Sequence, residues 1–246
     1  MALYTYKPIL EQVQDACLQL NLVKPTGVFD TDDENALIMA SCANFVGPML
    51  QDVWEWQQFY KPFSVVGDGV KTQFDLPADF SRFTNDTGWS LSKRRPVIIM
   101  NQAQWAAIKS WLSQSFFVNP ACMIMQDKLQ FLTAPAASEE ITFEYTSKMW
   151  VQDGTDPLIF KESLQLNSDV PMHDSVLFTL AMKVKWLSTR GMSTQDAQQD
   201  FNERLKQLQM RNNMAQSLSL NGGSFTGFRY LDSYWNAPDT NLGGPG

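Results

Sequence analysis

One histidine, three cysteines and 18% charged residues in a chain of 246 leave little of the usual material of catalysis. Neither GxxxxGK[ST] nor GxGxxG occurs, so the chain carries no recognisable phosphate cradle, and GxSxG is missing as well. His173 is followed by Asp174 just after Pro171, where a helix should begin. Such a pair can orient a base, yet no serine or cysteine motif accompanies it, and polarity at a helix start is the simpler reading. Cys17, Cys42 and Cys122 are odd in number and widely spaced, which predicts reduced, buried thiols rather than a disulfide framework. The opening MALYTYKPIL has no basic region leading into an apolar core, and no run of about 18 apolar residues stands out. Neither a secretory signal nor a membrane span is therefore expected.

Positive charge is also scarce. The formal charge is -7 and the sequence pI about 4.7, which excludes a surface that grips phosphate backbones throughout. Acidic walls past which DNA slides remain compatible. Lys93-Arg94-Arg95 is the one dense basic run, fit either for a phosphate or acidic partner or for a solvated loop. Asp32-Asp33-Glu34 reads as charge favouring a helix N-terminus or as part of a metal cluster. Asp153 to Asp156, DGTD, has alternating oxygens like a calcium loop but lacks the distal glutamate of an EF-hand, leaving an acidic turn as the simpler reading.

What the chain does have is core material. Hydrophobic residues make up 44%, with eight Trp and sixteen Phe, so disorder throughout is excluded. Apolar positions Ile9, Val13, Cys17 and Leu20 predict a helix over about residues 6 to 21. A second helix is expected from about Glu34 to Tyr60, with Ile38, Cys42, Phe45, Met49, Val53 and Trp54 inward and a kink or break at Gly47-Pro48. Between Pro62 and Pro157 the period shifts toward two. SVVGDGVKTQFDL predicts a hairpin closed by Gly67-Asp68-Gly69, with Val70, Thr72 and Phe74 alternating. PVIIM predicts a strand and NQAQWAAIKSWLSQ a helix. ACMIMQDKLQFL predicts a second hairpin turning near Asp127-Lys128, and ITFEYTS a further strand. After Pro171 the stripe Val176, Leu180, Val184 and Leu187 predicts a core-facing helix ending at Arg190-Gly191. A last helix is expected to start at Ser193 or Thr194 and to turn Phe201, Leu205 and Leu208 inward.

The fold class expected is α+β. An antiparallel helical bundle formed from both chain ends (1–62 and 166–220) would carry an inserted, projecting β-rich domain (63–165) and an extended C-terminal tail (221–246). That tail is rich in Gly and Pro yet carries Phe225, Phe228, Arg229, Tyr230, Leu231, Tyr234 and Trp235. So apolar a segment must cover a surface, either on a partner or neighbouring subunit or on its own domain.

Four stretches, taken in order, carry a resemblance. ILEQVQDACLQLNLVKPTG with a long helix ending in VWEWQQF comes first, then GDGVKTQFDLPADFSRF. DKLQFLTAPAASEEITFEYTSKMWV follows, and VLFTLAMKVKWLSTRGMSTQDAQQDFNERLKQL closes the series, with Lys185-Trp186 and Arg190-Gly191 as landmarks. Together they resemble the head-to-tail adaptor proteins of short-tailed double-stranded DNA bacteriophages, the group of tail tubular protein A and tail accessory factors. Ser138-Glu139-Glu140 departs from it where such proteins often have a Gly-containing turn, and the aromatic tail is longer than the pattern requires.

The resemblance implies a non-enzymatic virion protein without cofactor or metal, made in the host cytoplasm and placed at the head-to-tail interface. It implies a dodecameric ring of identical subunits between the portal protein and the tail tube or nozzle, through which DNA passes without sequence-specific binding; no membrane is implied. It further implies that Phe225 to Trp235 dock on the portal, and that Phe74, Leu76, Pro77, Asp79, Phe80 and Phe83 form a contact loop or, alternatively, only local core. The rival readings are another neck or tail-fibre connector and a soluble metal-dependent hydrolase.

Overall fold

The computed structural model describes residues 6–84, 87–109 and 119–212. Its helices are α1 (Ile9–Gln19), α2 (Glu34–Val53), α3 (Gln102–Lys109), α4 (Ser175–Thr189) and α5 (Gln195–Asn212). With them stand twelve short strands, so the fold is mixed α+β. Among the described residues the chain divides into two compact units, one made of the residues up to Phe59 and from Ser147 onward, the other of Tyr60–Thr146.

The Tyr60–Thr146 unit holds two sheets. In the first, β1 (Tyr60–Val66) pairs antiparallel with β9 (Glu140–Ser147), Phe63 opposite Phe143. On the other side of β9 lies β4 (Trp89–Ser90), which pairs with β5 (Arg95–Pro96), and β3 (Phe80–Phe83) also joins β9. The second sheet runs β2 (Gln73–Asp75), β8 (Lys128–Phe131), β7 (Ala121–Met125), β6 (Ile98–Ile99), with only β6 and β7 parallel. Val65, Val97, Cys122, Leu129, Phe131, Ile141 and Phe143 fill the core of this unit, which draws on both sheets.

The GDG segment closes no hairpin. β1 pairs with β9 and β2 with β8, so Gly67-Asp68-Gly69 carries the chain from one sheet to the other. Asp68 Oδ1 accepts from the N–H groups of Val70 and Lys71, Gly69 takes φ +82, and Gly67 exchanges backbone bonds with Ser138 and Glu139. A turn residue cluster between two alternating runs looks the same whether the runs pair with each other or with distant strands. Val70 is exposed rather than part of an alternating strand. The second hairpin is a true one: Gln126 and Asp127, both at positive φ, make the two-residue link between β7 and β8.

In the other unit α1, α2, α4 and α5 share one core with Trp56, Phe59, Trp150, Val151 and Leu164. Three two-residue strands, β10 (Val151–Gln152), β11 (Phe160–Lys161) and β12 (Val170–Pro171), form a small antiparallel sheet here. The units therefore meet in sequence at Thr146/Ser147, where the sequence places a boundary at 165, because Trp150 and Val151 enter the helical core. Asp33 caps α2 by accepting from Asn35 N–H, and Asp174 caps α4 through Leu177 N–H. Gly191 at φ +68 ends α4, with Met192 N–H bonded to Leu187 O and Gly191 N–H to Ser188 O, the paired bonds of a Schellman cap.

Two helix faces differ from expectation. On α2 the expected Cys42 is buried and Ile38 and Trp54 pack on the core, but the rest of the buried stripe is Ala36, Met39, Ala40, Ala43, Val46, Gly47 and Leu50, while Phe45, Met49 and Val53 are exposed. On α4 the fully buried residues are Leu177, Phe178, Ala181, Met182 and Trp186; of the expected stripe Leu180, Val184 and Leu187 are half-buried against the same core and Val176 is exposed. Both helices are apolar nearly all round, so spacing does not select a phase. Small Ala and Gly side chains turn inward on α2 because they let the neighbouring elements come close. α2 also continues through Gly47-Pro48 as one helix, then ends at Val53, and a 3-10 turn at Gln57–Phe59 follows. By length and mean hydropathy, 1.2 over its best window, α2 has the composition of a membrane span; half of that window is buried in the protein.

Candidate contact surfaces and buried polar groups

The loop residues Phe74 to Phe83 are anchored from both sides. Phe74 meets Phe131 edge to face at 5.7 Å between ring centres, and Phe83 lies 4.9 Å from Phe143. Leu76 packs against the same core, and β2 ends at Asp75, just before Leu76-Pro77. Phe80 N–H donates to Pro77 O, which closes a tight turn, and the Phe80 ring rests on Phe83 and Tyr145. Asp79 accepts from the Tyr145 hydroxyl at 2.8 Å and from Lys61 Nζ at 2.6 Å. Burial and that carboxylate together raise the Tyr145 pKa. Each of these six residues is half-buried, with Phe74, Leu76 and Phe83 packed on the core of the β unit and Asp79 and Phe80 on Tyr145. The tail residues Phe225, Phe228, Arg229, Tyr230, Leu231, Tyr234 and Trp235 lie outside the described residues.

His173 is a core residue. It is buried among Trp56, Phe59, Trp150 and Phe178, stacked on Phe178 at 5.9 Å, and its Nε2 lies 3.1 Å from Gly47 O. Since a carbonyl only accepts, Nε2 carries the proton there, and the buried Nδ1 has no hydrogen-bond partner among the described residues. Burial pushes the imidazole pKa down to about 3, against a smaller opposing effect of Gly47 O. Asp174, the neighbouring residue, is held by Arg204 in a two-pronged ion pair at 2.9 Å. The two side chains of the His-Asp pair are committed to different tasks.

The DGTD stretch is a turn fastened to a buried network. Asp153 Oδ1 accepts from Thr155 and Asp156 N–H groups, and its Oδ2 meets Lys161 Nζ at 2.9 Å. Lys161 Nζ also bonds both oxygens of the buried Asp169, which accepts further from Gly154, Gln165 and Leu166 N–H groups. Burial works to raise the Asp169 pKa, but Lys161 and the three backbone donors outweigh it and leave it lowered. With a lysine already on both carboxylates, the arrangement is closed around its own cation. Among the described residues no group of three His, Cys, Asp or Glu is placed to hold a metal.

Lys93 of the basic run is likewise engaged. Its Nζ lies 2.8 Å from Glu139, whose buried carboxylate also accepts from Ser90 Oγ and Ala136 N–H. Glu139 thus pins the loop at Ser138, which takes φ +64, where a Gly-containing turn was the expected pattern. The sequence reading missed the surface that the structure makes most conspicuous, the outer face of α2. Phe45, Met49 and Val53 are 54%, 38% and 41% exposed within about 80° of one another, and Leu37, 46% exposed, lies about 80° further round the helix. An apolar count too high for one buried stripe was the available signal.

Compared with protein-family models and with curated proteins, the chain matches none of either.

Proposed function

We propose that this chain is a structural virion protein, a head-to-tail adaptor that forms a ring between the portal and the tail tube or nozzle of a short-tailed phage. The observation that carries the reading is the ordered set of four stretches spanning most of residues 8 to 212. Consistent with it, helices from both ends of the chain contribute to one core, and the middle of the chain makes its own compact unit. In this reading the helices are an antiparallel bundle, the β-rich unit is an inserted projecting domain, and the residues beyond 220 are a docking tail.

The mechanism is geometric. Each copy buries one side against its neighbour, and a heterologous contact of that kind closes into a ring with a central passage. The ring is dodecameric by the resemblance. Aromatic anchors at Phe225 to Trp235 supply affinity for the portal on ordering. The half-buried Phe74 to Phe83 loop faces a downstream tail part, and net negative charge keeps the passage from gripping DNA.

Binding of the full chain to purified portal rings, compared with a chain ending at residue 220, tests this. The full chain binds and the shortened one keeps its fold but loses binding. Equal binding by both overturns the role of the tail, and binding by neither overturns the adaptor reading.

A further inference from the structure

We propose that the aromatic run at residues 225–235 seats in the groove between α1 and α4 of its own chain until a portal takes it up. The inference deepens the adaptor reading by naming where the docking tail is held before assembly; the release step rests on that reading, and the seating does not. Leu18, 61% exposed, and Val176, 50% exposed, flank a groove of about 400 Å³, with the half-buried Leu180 one turn beyond Val176 on the same face of α4. Sites of about 300–1,000 Å³ hold small ligands. A few side chains of an extended segment fit such a space, and a second folded surface does not.

The chain leaves the described residues near this groove. α5 runs back along α4, and its Arg204 grips Asp174, the residue that caps the N-terminal end of α4. Ser175, Val176, Thr179 and Leu180, the α4 side of the groove, are the first two turns from that same end. From Arg204 to the end of α5 at Asn212 is about 12 Å of helix. The segment from Asn212 to Phe225 spans up to about 43 Å when extended, enough to double back, and Asn221-Gly222-Gly223-Ser224 just before the aromatic run has the composition of a turn. Covalent attachment favours this occupant over a free one. A short link holds its segment at an effective concentration in the mM range, so a contact with a dissociation constant of about 0.1 mM lies about tenfold toward the seated form.

Charge selects the same segment. On the rim Lys7 pairs with Asp15 at 3.0 Å and the charge of Glu11 also acts on Lys7, so the α1 side has one negative charge in excess, while the α4 residues lining the groove are uncharged. Arg229 is the one basic residue beyond Arg211, and it stands inside the aromatic run, between Phe228 and Tyr230; the run's one acid, Asp232, follows three residues later. An apolar groove with an acidic rim fits rings that bring a cation with them.

Thiol chemistry on the full-length chain tests the seating, since the native cysteines are buried. In a Val176→Cys/Tyr230→Cys variant a short bismaleimide should join the two sites within one chain, giving a monomer of faster gel mobility at every protein concentration. Covalent dimers that grow with concentration make a second copy the occupant and overturn the proposal, as does the absence of any crosslink. Leu18→Cys should react with a maleimide about tenfold more slowly than the same variant carrying Phe228→Ser, Arg229→Ser and Tyr230→Ser as well. Equal rates contradict the seating. For the release step, Leu18→Asp lies at an exposed position, keeps the melting temperature and removes the competing site, so it should tighten portal binding about tenfold. Unchanged or weaker portal binding by that variant overturns the release. Crosslinking within one chain together with no portal binding by any variant supports the seating and removes the adaptor reading, so the two fail separately.

Discussion

The indole of Trp150 occupies the space that any side chain on Gly47 would need. A Cβ there would overlap the ring atoms Cζ2, Cη2 and Cε2. Trp150 in turn packs, tilted, against Phe178 and His173, so the backbone of α2 at this glycine is one wall of the central aromatic cluster. In isolation, Gly to Ala in a helix gains roughly 1 kcal/mol.

Gly47→Ala is nevertheless expected to destabilise the protein, by roughly 2 kcal/mol, because overlap with the ring puts the overpacking cost at about 3 kcal/mol, the upper end of its usual range, and this exceeds the propensity gain. Denaturant unfolding measures it. In the Trp150→Phe background, which shortens the ring, the same substitution should do less harm. Stabilisation by Gly47→Ala in the natural background would mean that the close approach is not rigid.

His173 predicts a dependence on pH. Its folded pKa of about 3 lies below the ordinary 6.5, so the unfolded chain takes up a proton first as pH falls. Stability from this source is full above about pH 6.5 and declines toward pH 3, with roughly 2 kcal/mol lost by pH 5. The buried carboxylates act lower, since their unfolded values lie near 4. Unfolding measured at pH 8 and pH 5 should therefore show a loss that His173→Phe removes. An unchanged slope in that variant would assign the loss to other groups.

The Asp169–Lys161–Asp153 network predicts a large local cost. Asp169→Ala leaves Lys161 with one carboxylate and three backbone N–H groups without their acceptor, and should cost about 3–5 kcal/mol. The lowered pKa values of Asp153 and Asp169 place the network's contribution above about pH 4 and its loss below. Thermal melts at pH 7 and pH 3 check both parts: the difference between natural and variant protein should shrink at the lower pH.

Phe80→Ala removes a half-buried ring that touches Phe83 and Tyr145. It is expected to destabilise by about 1–2 kcal/mol, less than a fully buried Phe, and to weaken attachment of the downstream tail part. Differential scanning calorimetry and in vitro tail assembly measure the two effects. Normal stability with normal assembly would remove the loop from the contact surface.

How far residues alone lead is best seen helix by helix. Caps were readable because they are local: Asp33, Gly191 and Thr194 each act within a few residues of where they stand. The second hairpin was readable for the same reason, although its turn is Gln126-Asp127, one residue before the expected Asp127-Lys128. GDG misled because strand partners are chosen by contacts with residues 128 to 146, far away in the chain. The faces of α2 and α4 misled because uniformly apolar helices leave the phase to tertiary packing, here to Trp150 against Gly47. His173 gave no sign of burial at all; its neighbours Asp174 and Pro171 are polar or breaking, and only the fold gathers four aromatic rings around it.

Native mass of the purified full-length chain, alone and mixed with the portal of the same virus, bears most directly on the adaptor reading. A defined ring of identical subunits on each portal is the predicted result. A mass for the mixture equal to the separate masses of portal and chain would contradict it.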